Sequence, residues 1–351
     1  MAYPSDRGSQ QDAQKKLKAA LKTGEFENFY IFCGEEAYLR EHYLDLFTQK
    51  LTGGPAGDFN YHRFNADNLT PDALSEAVEA MPMMAERTMV RIDDVDFFKQ
   101  NEHAREQYGE IFSDIPAFCC VVLVYDTMEY KPNGQMRKLA AVFKEKASVV
   151  EFARQSERDL IAWISRHFRS CGKGISDDLC RYLIFLTDGM MTSLGSEIEK
   201  VAFYASGKDV TRSDIDAVVI PVLNAQTFDI SNAIADGNYE QALRKMEDLF
   251  AMQEDCMLIL GAIGSQLRRL HYAKAITSSG KGQETLMQLT GMKSYPAGLT
   301  MTAARKVSEE FCRKSVELCL EADRKMKSSA DDPERILELL IAELAREARH
   351  G

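Results

Sequence analysis

The amino-acid sequence predicts an α/β domain built on a five-stranded parallel sheet, followed by two all-α domains. Two observations support this fold class. Short apolar segments alternate with helical patterns up to residue 153, and no strand pattern follows them. Pro221 then separates a small group of helical patterns from a larger one. The predicted domains are residues 1–153, 154–222 and 223–351.

Five segments of the first domain have the length and composition of buried strands. They are residues 28–33, 59–64, 87–92, 119–125 and 148–152. Helical patterns lie between them, at residues 36–51, 70–80, 102–112 and 133–146. Because a helix separates each strand from the next, we expect a parallel sheet that is covered on both faces.

The rest of the chain is predicted to be helical. In the second domain, Ser156 and Asp159 have the spacing of a helix N-cap. The helices predicted there are residues 160–170, 176–188 and 193–206, and a fourth that begins at residue 211. Those predicted in the third domain are residues 227–236, 238–252, 254–278, 283–289, 300–327 and 331–348.

Charge and composition limit the possible functions. No segment approaches the roughly 18 consecutive apolar residues of a membrane span, and Met1–Gln14 lacks the apolar core of a signal peptide. We therefore expect a cytoplasmic protein with no membrane partner. The net charge is −11, and the first domain carries most of it, with 17 Lys and Arg against 25 Asp and Glu. That domain alone is a poor DNA binder.

Cysteine and histidine give no sign of catalytic or metal chemistry. The eight cysteines contain no Cys-x-x-Cys pair and no histidine at the spacing of a zinc site. The six histidines have no Ser or Cys partner in a recognisable catalytic context. The sequence therefore predicts free thiols, no catalytic residue, no metal and no cofactor.

One glycine and two carboxylates follow the first predicted strand, in the order Gly34, Glu35, Glu36. A nucleotide-binding α/β domain has its phosphate loop at this point, with several glycines, a lysine and a Ser or Thr. Here Glu35 and Glu36 would lie at the positive end of the next helix and repel a triphosphate. The sequence therefore predicts a nucleotide-binding scaffold without nucleotide chemistry, and a partner-binding role.

Two other patterns could indicate nucleotide chemistry. Gly-Lys pairs occur at residues 172–173, 207–208 and 280–281, but the Ser or Thr that would hold Mg²⁺ does not follow them. Residues 91–96 contain three aspartates and superficially resemble a metal-binding strand end. Because no phosphate loop would present a triphosphate to these aspartates, we interpret them as a solvated loop.

Several short motifs occur in order along the chain. They are Gly-Glu-Glu-x-Tyr-Leu at residues 34–39, the segments Phe228–Ile234 and Gly237–Leu243, then Gln266–Leu270 and Asp323–Ser328. With these motifs the chain resembles, over nearly its whole length, the delta subunit of the bacterial DNA polymerase III clamp loader. The resemblance implies an AAA+-like first domain, a helical lid domain and a helical collar domain.

The same resemblance implies a non-catalytic component of the DNA polymerase III holoenzyme in DNA replication. Such a subunit binds the sliding clamp (the beta subunit) and opens it for loading onto primed DNA. Its collar domain packs with the gamma/tau and delta prime subunits of the loader. The alternative function is an active AAA+-type ATPase in DNA metabolism, and a third interpretation is a helical scaffold for another complex.

The resemblance assigns clamp binding to residues 80–87, directly before the third predicted strand. The apolar pair that the family inserts into the clamp falls on Met83 and Met84. Pro82 ends the preceding helix, which favours exposure of two flexible side chains at this junction. The opposing interpretation is that both methionines fill the core under the sheet.

Basic residues of the third domain supply one candidate DNA contact. Lys327 would touch phosphate groups without reading bases. Acidic residues such as Glu317 and Asp323 are interleaved with the basic ones. The alternative is therefore that these charges pair with one another at i,i+4 spacing on a solvated helix face.

Overall fold

The structure is a computed structural model that describes residues 7–53 and 57–348 of the chain. It divides into two compact units, one that ends at Gln155 and one that begins at Ser156. Among the described residues, no helix combines the length and the apolar character that crossing a membrane requires.

The first unit is an α/β unit with five strands. Its strands are β1 (Phe29–Cys33), β2 (Tyr61–Phe64), β3 (Thr88–Asp93), β4 (Cys119–Val124) and β5 (Ser148–Glu151). Its helices are α1 (Arg7–Thr23), α2 (Ala37–Thr52), α3 (Pro71–Glu79), α4 (Glu102–Ser113) and α5 (Arg137–Lys146). Short 3-10 helices occupy Gly57–Asn60 and Phe97–Lys99. The five predicted strands and the four helices between them are confirmed.

Helix α1 is absent from the predicted elements. Its sequence is mostly polar, and only a narrow apolar face at Leu17, Ala20 and Leu21 has helical spacing. Leu17 and Ala20 are buried against the sheet in the same cluster as Tyr30. Packing on the sheet therefore stabilises a helix that the local sequence indicates only weakly.

All neighbouring strands of the sheet are parallel, and their order is β2-β3-β4-β1-β5. Strand β1 lies in the interior, where Phe29 aligns with Val121 of β4 and Tyr30 aligns with Ser148 of β5. The connection that leaves β1 runs toward one edge, whereas the connection from β4 to β5 runs toward the other. The switch point therefore lies between the carboxyl ends of β1 and β4, where such sheets bind their ligands.

Alternate residues of β1 face two separate cores. Phe29 and Ile31 pack with side chains of α3, α4 and α5, whereas Tyr30 and Phe32 pack with side chains of α1 and α2. This alternation follows from the two-residue period of a strand. Right-handed crossovers that run in opposite directions put their helices on opposite faces, which gives the three-layer arrangement.

The second unit is helical. Its first four helices are α6 (Glu157–Ser170), α7 (Asp177–Leu186), α8 (Met191–Tyr204) and α9 (Arg212–Val218). The following helices are α10 (Leu223–Ala235), α11 (Tyr239–Ala251), α12 (Cys256–Ser278), α13 (Gln283–Thr290), α14 (Ser294–Ala304), α15 (Glu309–Ser328) and α16 (Pro333–Ala348). The fold class of an α/β domain followed by helical structure is confirmed. The predicted N-cap is also confirmed, because the Ser156 side chain accepts the Asp159 N–H.

The prediction of one helix over residues 300–327 is wrong. Helix α14 ends at Ala304, and α15 begins at Glu309 with Ser308 as its N-cap. The Ser308 hydroxyl accepts the Phe311 N–H at 3.1 Å, which satisfies one of the free donors at the start of a helix. The break lets both helices pack against the long helix α12, so that Ala304 and Phe311 are both buried.

Candidate functional site

An open cleft lies beside the switch point of the sheet. The charged side chains that line it are four carboxylates and two cations: Glu35, Asp126, Glu129, Glu151, Lys131 and Arg154. A triphosphate would meet an excess of negative charge in this cleft. The lining therefore disfavours the ligand that the scaffold would otherwise suggest.

Backbone contacts close the turn between β1 and α2. The Glu36 N–H donates to the Phe152 carbonyl at 2.8 Å, and the Phe152 N–H donates to the Cys33 carbonyl at 2.7 Å. Gly34 has a φ of +111°, and a Cβ at this position would lie 2.5 Å from the Phe152 carbonyl oxygen. The backbone of Phe152 therefore packs directly against the turn at Gly34, whose N–H groups would bind the anion in a phosphate loop.

Both predicted carboxylates stand at the N-terminus of α2, but in different surroundings. Glu36 is fully buried at the N-cap position. Glu35 is largely exposed, and its carboxylate accepts a hydrogen bond from the Arg154 Nε at 2.9 Å. This arrangement agrees with the predicted occupation of the helix terminus by the chain's own acidic groups.

A buried arginine ties this region together. Arg40 is 1% exposed, its Nη1 donates to the Gly34 carbonyl at 2.6 Å, and its other Nη pairs with the Asp126 carboxylate. The Asp94 carboxylate accepts the Asp126 N–H at 2.8 Å and the Thr127 hydroxyl at 2.8 Å. The network joins the carboxyl ends of β1, β3 and β4. Burial lowers the pKa of the Arg40 guanidinium.

The sequence did contain a signal for this arginine. Arg40 lies four residues before Leu44, seven before Phe47 and eleven before Leu51, which is the spacing of one helix face. All four side chains are buried. A cation on an apolar helix face indicates a buried ion pair, because an unpaired buried charge is costly.

The interpretation of residues 91–96 as a solvated loop is wrong. Asp93 accepts hydrogen bonds from Arg63 and Arg91 at 2.6 Å each. Asp94 belongs to the network described above, and Asp96 accepts the Phe98 N–H at 3.0 Å. These carboxylates fix the end of β3. Within the described residues, no group of three or more His, Cys, Asp or Glu side chains is arranged to hold a metal ion.

The cysteines contribute no reactive group to the cleft. All eight are unpaired, and six are buried, whereas Cys171 is exposed. Cys33 lies at the cleft, and burial raises the pKa of its thiol to about 12. A thiol of this kind is not a nucleophile at neutral pH.

The segment that connects α3 to β3 carries an exposed group of methionines. Met83 is 52% exposed and Met84 is 87% exposed, and Met81 is also exposed. Helix α3 ends at Glu79, before Pro82. The interpretation of Met83 and Met84 as core side chains is therefore wrong. We call residues 80–87 the methionine loop.

A buried asparagine, which the sequence reasoning did not single out, contacts the methionine loop. Asn60 is 1% exposed and ends the 3-10 helix before β2. Its Nδ2 donates to the Met83 carbonyl at 2.8 Å, and its Oδ1 accepts the Met83 N–H at 2.6 Å. Phe59, which precedes Asn60 in the chain, is 70% exposed.

Lys327 lies in the last turn of α15, in the helical unit. Its side chain is 62% exposed, and its Nζ lies 2.8 Å from a carboxylate oxygen of Asp323. Arg313 and Lys314 pair in a similar way with Glu317, at 2.7 and 3.2 Å. The pairing expected from the interleaved charges is therefore present, and Lys327 remains accessible to solvent.

Comparisons with known proteins identify the family. The family model described as DNA polymerase III, delta subunit, matches residues 30–153. The model described as DNA polymerase III delta subunit, C-terminal domain, matches residues 224–344. The chain belongs to the DNA polymerase III delta subunit family. The resemblance read from the motifs is confirmed, and it assigns the chain to the clamp loader of DNA replication.

Two curated relatives and one solved structure agree with this assignment. The chain is 24% identical to DNA polymerase III subunit delta of Bacillus subtilis over 93% of this chain and 95% of that protein. It is 22% identical to the probable DNA polymerase III subunit delta of Aquifex aeolicus over 76% and 77% of the two chains. The structure of the Bacillus subtilis DNA clamp loader delta protein (YqeN) has the same fold, with a TM-score of 0.52, 22% identity and coverage of 95% and 99%.

The closed turn at Gly34 yields the first testable prediction. We expect Gly34→Ala to lower the free energy of unfolding of this delta-family chain by about 3 kcal/mol or more, because the new Cβ combines a strained φ with a steric clash. Chemical denaturation followed by circular dichroism measures this loss.

Gly24→Ala is the matched control. Gly24 also has a positive φ, of +84°, but no atom lies within 4 Å of a Cβ built there. Its substitution should therefore cost only about 1–2 kcal/mol, the cost of the left-handed backbone. Equal losses for the two variants would show that the Phe152 backbone does not restrict Gly34.

Proposed function

We propose that this delta-family chain binds the sliding clamp through Met83 and Met84 and opens it for loading onto primed DNA. The observation that carries this proposal is the exposure of two adjacent methionine side chains on a loop between α3 and β3. Large exposed apolar side chains that lie next to one another are typical of a protein interface.

The methionine pair has the physical properties of an interface anchor. Burial of a methionine side chain contributes about 1.5–3 kcal/mol. A few such buried side chains supply most of the binding energy of a typical interface. Methionine is also flexible and polarizable, so that the pair can adapt to the walls of an apolar pocket.

Clamp opening would follow from a difference in affinity. A ligand changes the balance between two conformations only by binding one of them more tightly. The chain would therefore bind the opened clamp in preference to the closed ring. The methionine pair would anchor the complex, and the preference for the open form would stabilise the gap through which DNA enters.

We also propose that this chain performs no catalytic step of its own. The support comes from the acidic cleft and from the turn at Gly34, where the Phe152 backbone packs against the position at which a phosphate loop would bind its anion. Its contribution to the DNA polymerase III holoenzyme would be mechanical. The acidic lining of the cleft argues against the alternative of an AAA+-type ATPase.

The proposed domain roles follow the order along the chain. Residues 1–153 would bind the clamp as an AAA+-like domain, residues 154–222 would form the lid domain, and residues 223–351 would form the collar. The collar would pack with the gamma/tau and delta prime subunits. Exposed leucines on its helices support such an interface: Leu258, Leu320 and Leu339.

Lys327 is the proposed contact with primed DNA inside the assembled loader. Its ammonium group is exposed on α15 and is held by a single carboxylate, that of Asp323. A surface ion pair of this kind contributes little free energy, so a DNA phosphate can compete for the lysine. Such a contact would add affinity without sequence preference.

Substitution of the methionine pair tests the clamp-binding proposal. We expect Met83→Ser with Met84→Ser to abolish detectable clamp binding, since the loss of two anchors corresponds to roughly 100-fold or more in Kd. A titration of the purified chain with its cognate sliding clamp, without nucleotide, measures this. Met252→Ser removes a similarly exposed methionine, 54% exposed, from the helical unit, and should bind normally. An unchanged Kd for the double variant would refute the proposal.

Mg²⁺-ATP tests the proposal that the chain is not an ATPase. A ligand present at about 100 times its Kd raises the free energy of unfolding by about 2.7 kcal/mol. We expect millimolar Mg²⁺-ATP to leave the thermal unfolding of the isolated chain unchanged, because the acidic cleft repels phosphate. A clear rise in Tm that requires Mg²⁺ would favour the ATPase instead.

The salt dependence of DNA binding tests Lys327. In the assembled loader, Lys327→Ala should weaken binding to primed DNA equally for all sequences and should lower the salt slope by about 1. Lys306→Ala is the matched control, because Lys306 is also half-exposed and pairs with Asp236 at 2.6 Å. An identical slope for wild type and Lys327→Ala would remove Lys327 from the interface.

A further inference from the structure

The methionine loop has a defined shape that is not favoured by its local sequence. Met84 has a φ of +52°, in the left-handed region that a side chain with a Cβ rarely adopts. A residue in this conformation costs on the order of 1–2 kcal/mol and persists only where its surroundings hold it. Contacts from outside the loop must therefore stabilise it.

Asn60 supplies such contacts next to the strained residue. Its carboxamide uses one donor and one acceptor on the two backbone groups of Met83, at 2.8 and 2.6 Å. Asn60 itself is fixed, because it is buried and directly precedes β2. Strand β2 pairs with β3, where Tyr61 aligns with Met89. The sheet thus holds both the asparagine and the far end of the loop.

We propose that Asn60 is a positioning residue that holds the methionine loop in its clamp-binding shape before the clamp arrives. This inference rests on the proposed clamp-binding function and names the group that prepares the site. Without Asn60, the loop would have to be ordered during binding, and each immobilised side chain would weaken association. The asparagine would act through the backbone of Met83 and would not touch the clamp itself.

The chemistry of the carboxamide suggests a variant that separates positioning from simple packing. Asparagine offers both a donor and an acceptor. A protonated carboxyl group offers the same pair, whereas a carboxylate only accepts and would repel the Met83 carbonyl oxygen. In Asn60→Asp, the two hydrogen bonds can therefore be restored by lowering the pH, while the size of the side chain stays the same.

The test compares Asn60→Ala, Asn60→Asp and the control Asn65→Ala. Asn65 lies at the opposite end of β2 from Asn60, and its side chain accepts the Asp67 N–H at 3.0 Å. Clamp affinity is measured by titration of the full chain. Amide hydrogen exchange in residues 80–87 is measured without clamp, so that the loop is observed independently of binding.

Asn60→Ala should bind the clamp roughly 10- to 100-fold more weakly, as expected for the loss of two buried hydrogen bonds, and should exchange the loop amides faster. Asn60→Asp should bind weakly at neutral pH. Its Kd relative to wild type, measured at each pH, should recover as the pH falls and the introduced carboxyl group is protonated. Asn65→Ala should match wild type in both measurements.

Two results would overturn the positioning role. One is wild-type affinity in Asn60→Ala, whether or not its loop amides exchange faster. The other is a relative Kd of Asn60→Asp that does not change with pH, which would also decide the question if Asn60→Ala does not fold. Failure of the clamp-binding proposal is seen separately, as unchanged affinity in the Met83→Ser and Met84→Ser variant. The exchange measurement alone would then still report how Asn60 holds the loop.

Discussion

The buried guanidinium of Arg40 connects the segments that follow the carboxyl ends of the strands, where nucleotide-binding domains hold phosphate. It bonds to the Gly34 carbonyl and pairs with Asp126, and Asp94 extends the network to the end of β3. Both Nη groups of Arg40 thus donate to acceptors of the protein and not to a phosphate. Because a buried cation needs its partners, this network keeps β1, β3 and β4 in register at their carboxyl ends. The scaffold is thus stabilised by contacts at the end of the sheet that binds ligands in related folds.

The proposed docking loop lies at the amino end of the strands, opposite the Arg40 network. In a parallel sheet all strands begin at the same end, and the methionine loop directly precedes β3, which starts at Thr88. Asn60 directly precedes β2 and so lies at that end as well. A strand of six residues spans about 20 Å, so the loop and the Arg40 network are well separated. The proposed partner binding would thus use the amino end of the strands, whereas related folds bind their ligands at the carboxyl end.

Much of this architecture could be predicted, because alternation of apolar strands and helices is a strong local signal. The five strands of the sheet and the N-cap at Ser156 follow from such patterns. Helix α1 could not be identified in this way, since it depends on packing against the sheet. The break between α14 and α15 also depends on packing, because both helices contact α12.

The two site residues that sequence reasoning missed, Arg40 and Asn60, differ in whether a local pattern could have revealed them. Arg40 shares a helix face with three buried apolar residues, so its burial could have been inferred from spacing. Asn60 is a single polar residue beside a loop 23 positions away along the chain, and no short-range pattern reveals that contact. Exposure of the methionine pair could be predicted from the sequence, because Pro82 ends the helix before it. The left-handed backbone of Met84 could not be predicted in this way.

The separation between the two ends of the strands also has an evolutionary consequence. Substitutions more than about 10 Å apart usually have independent effects on stability. Substitutions around Arg40 would therefore change the stability of the scaffold largely independently of substitutions at the proposed docking end. A domain with this layout can drift at one end and specialise at the other.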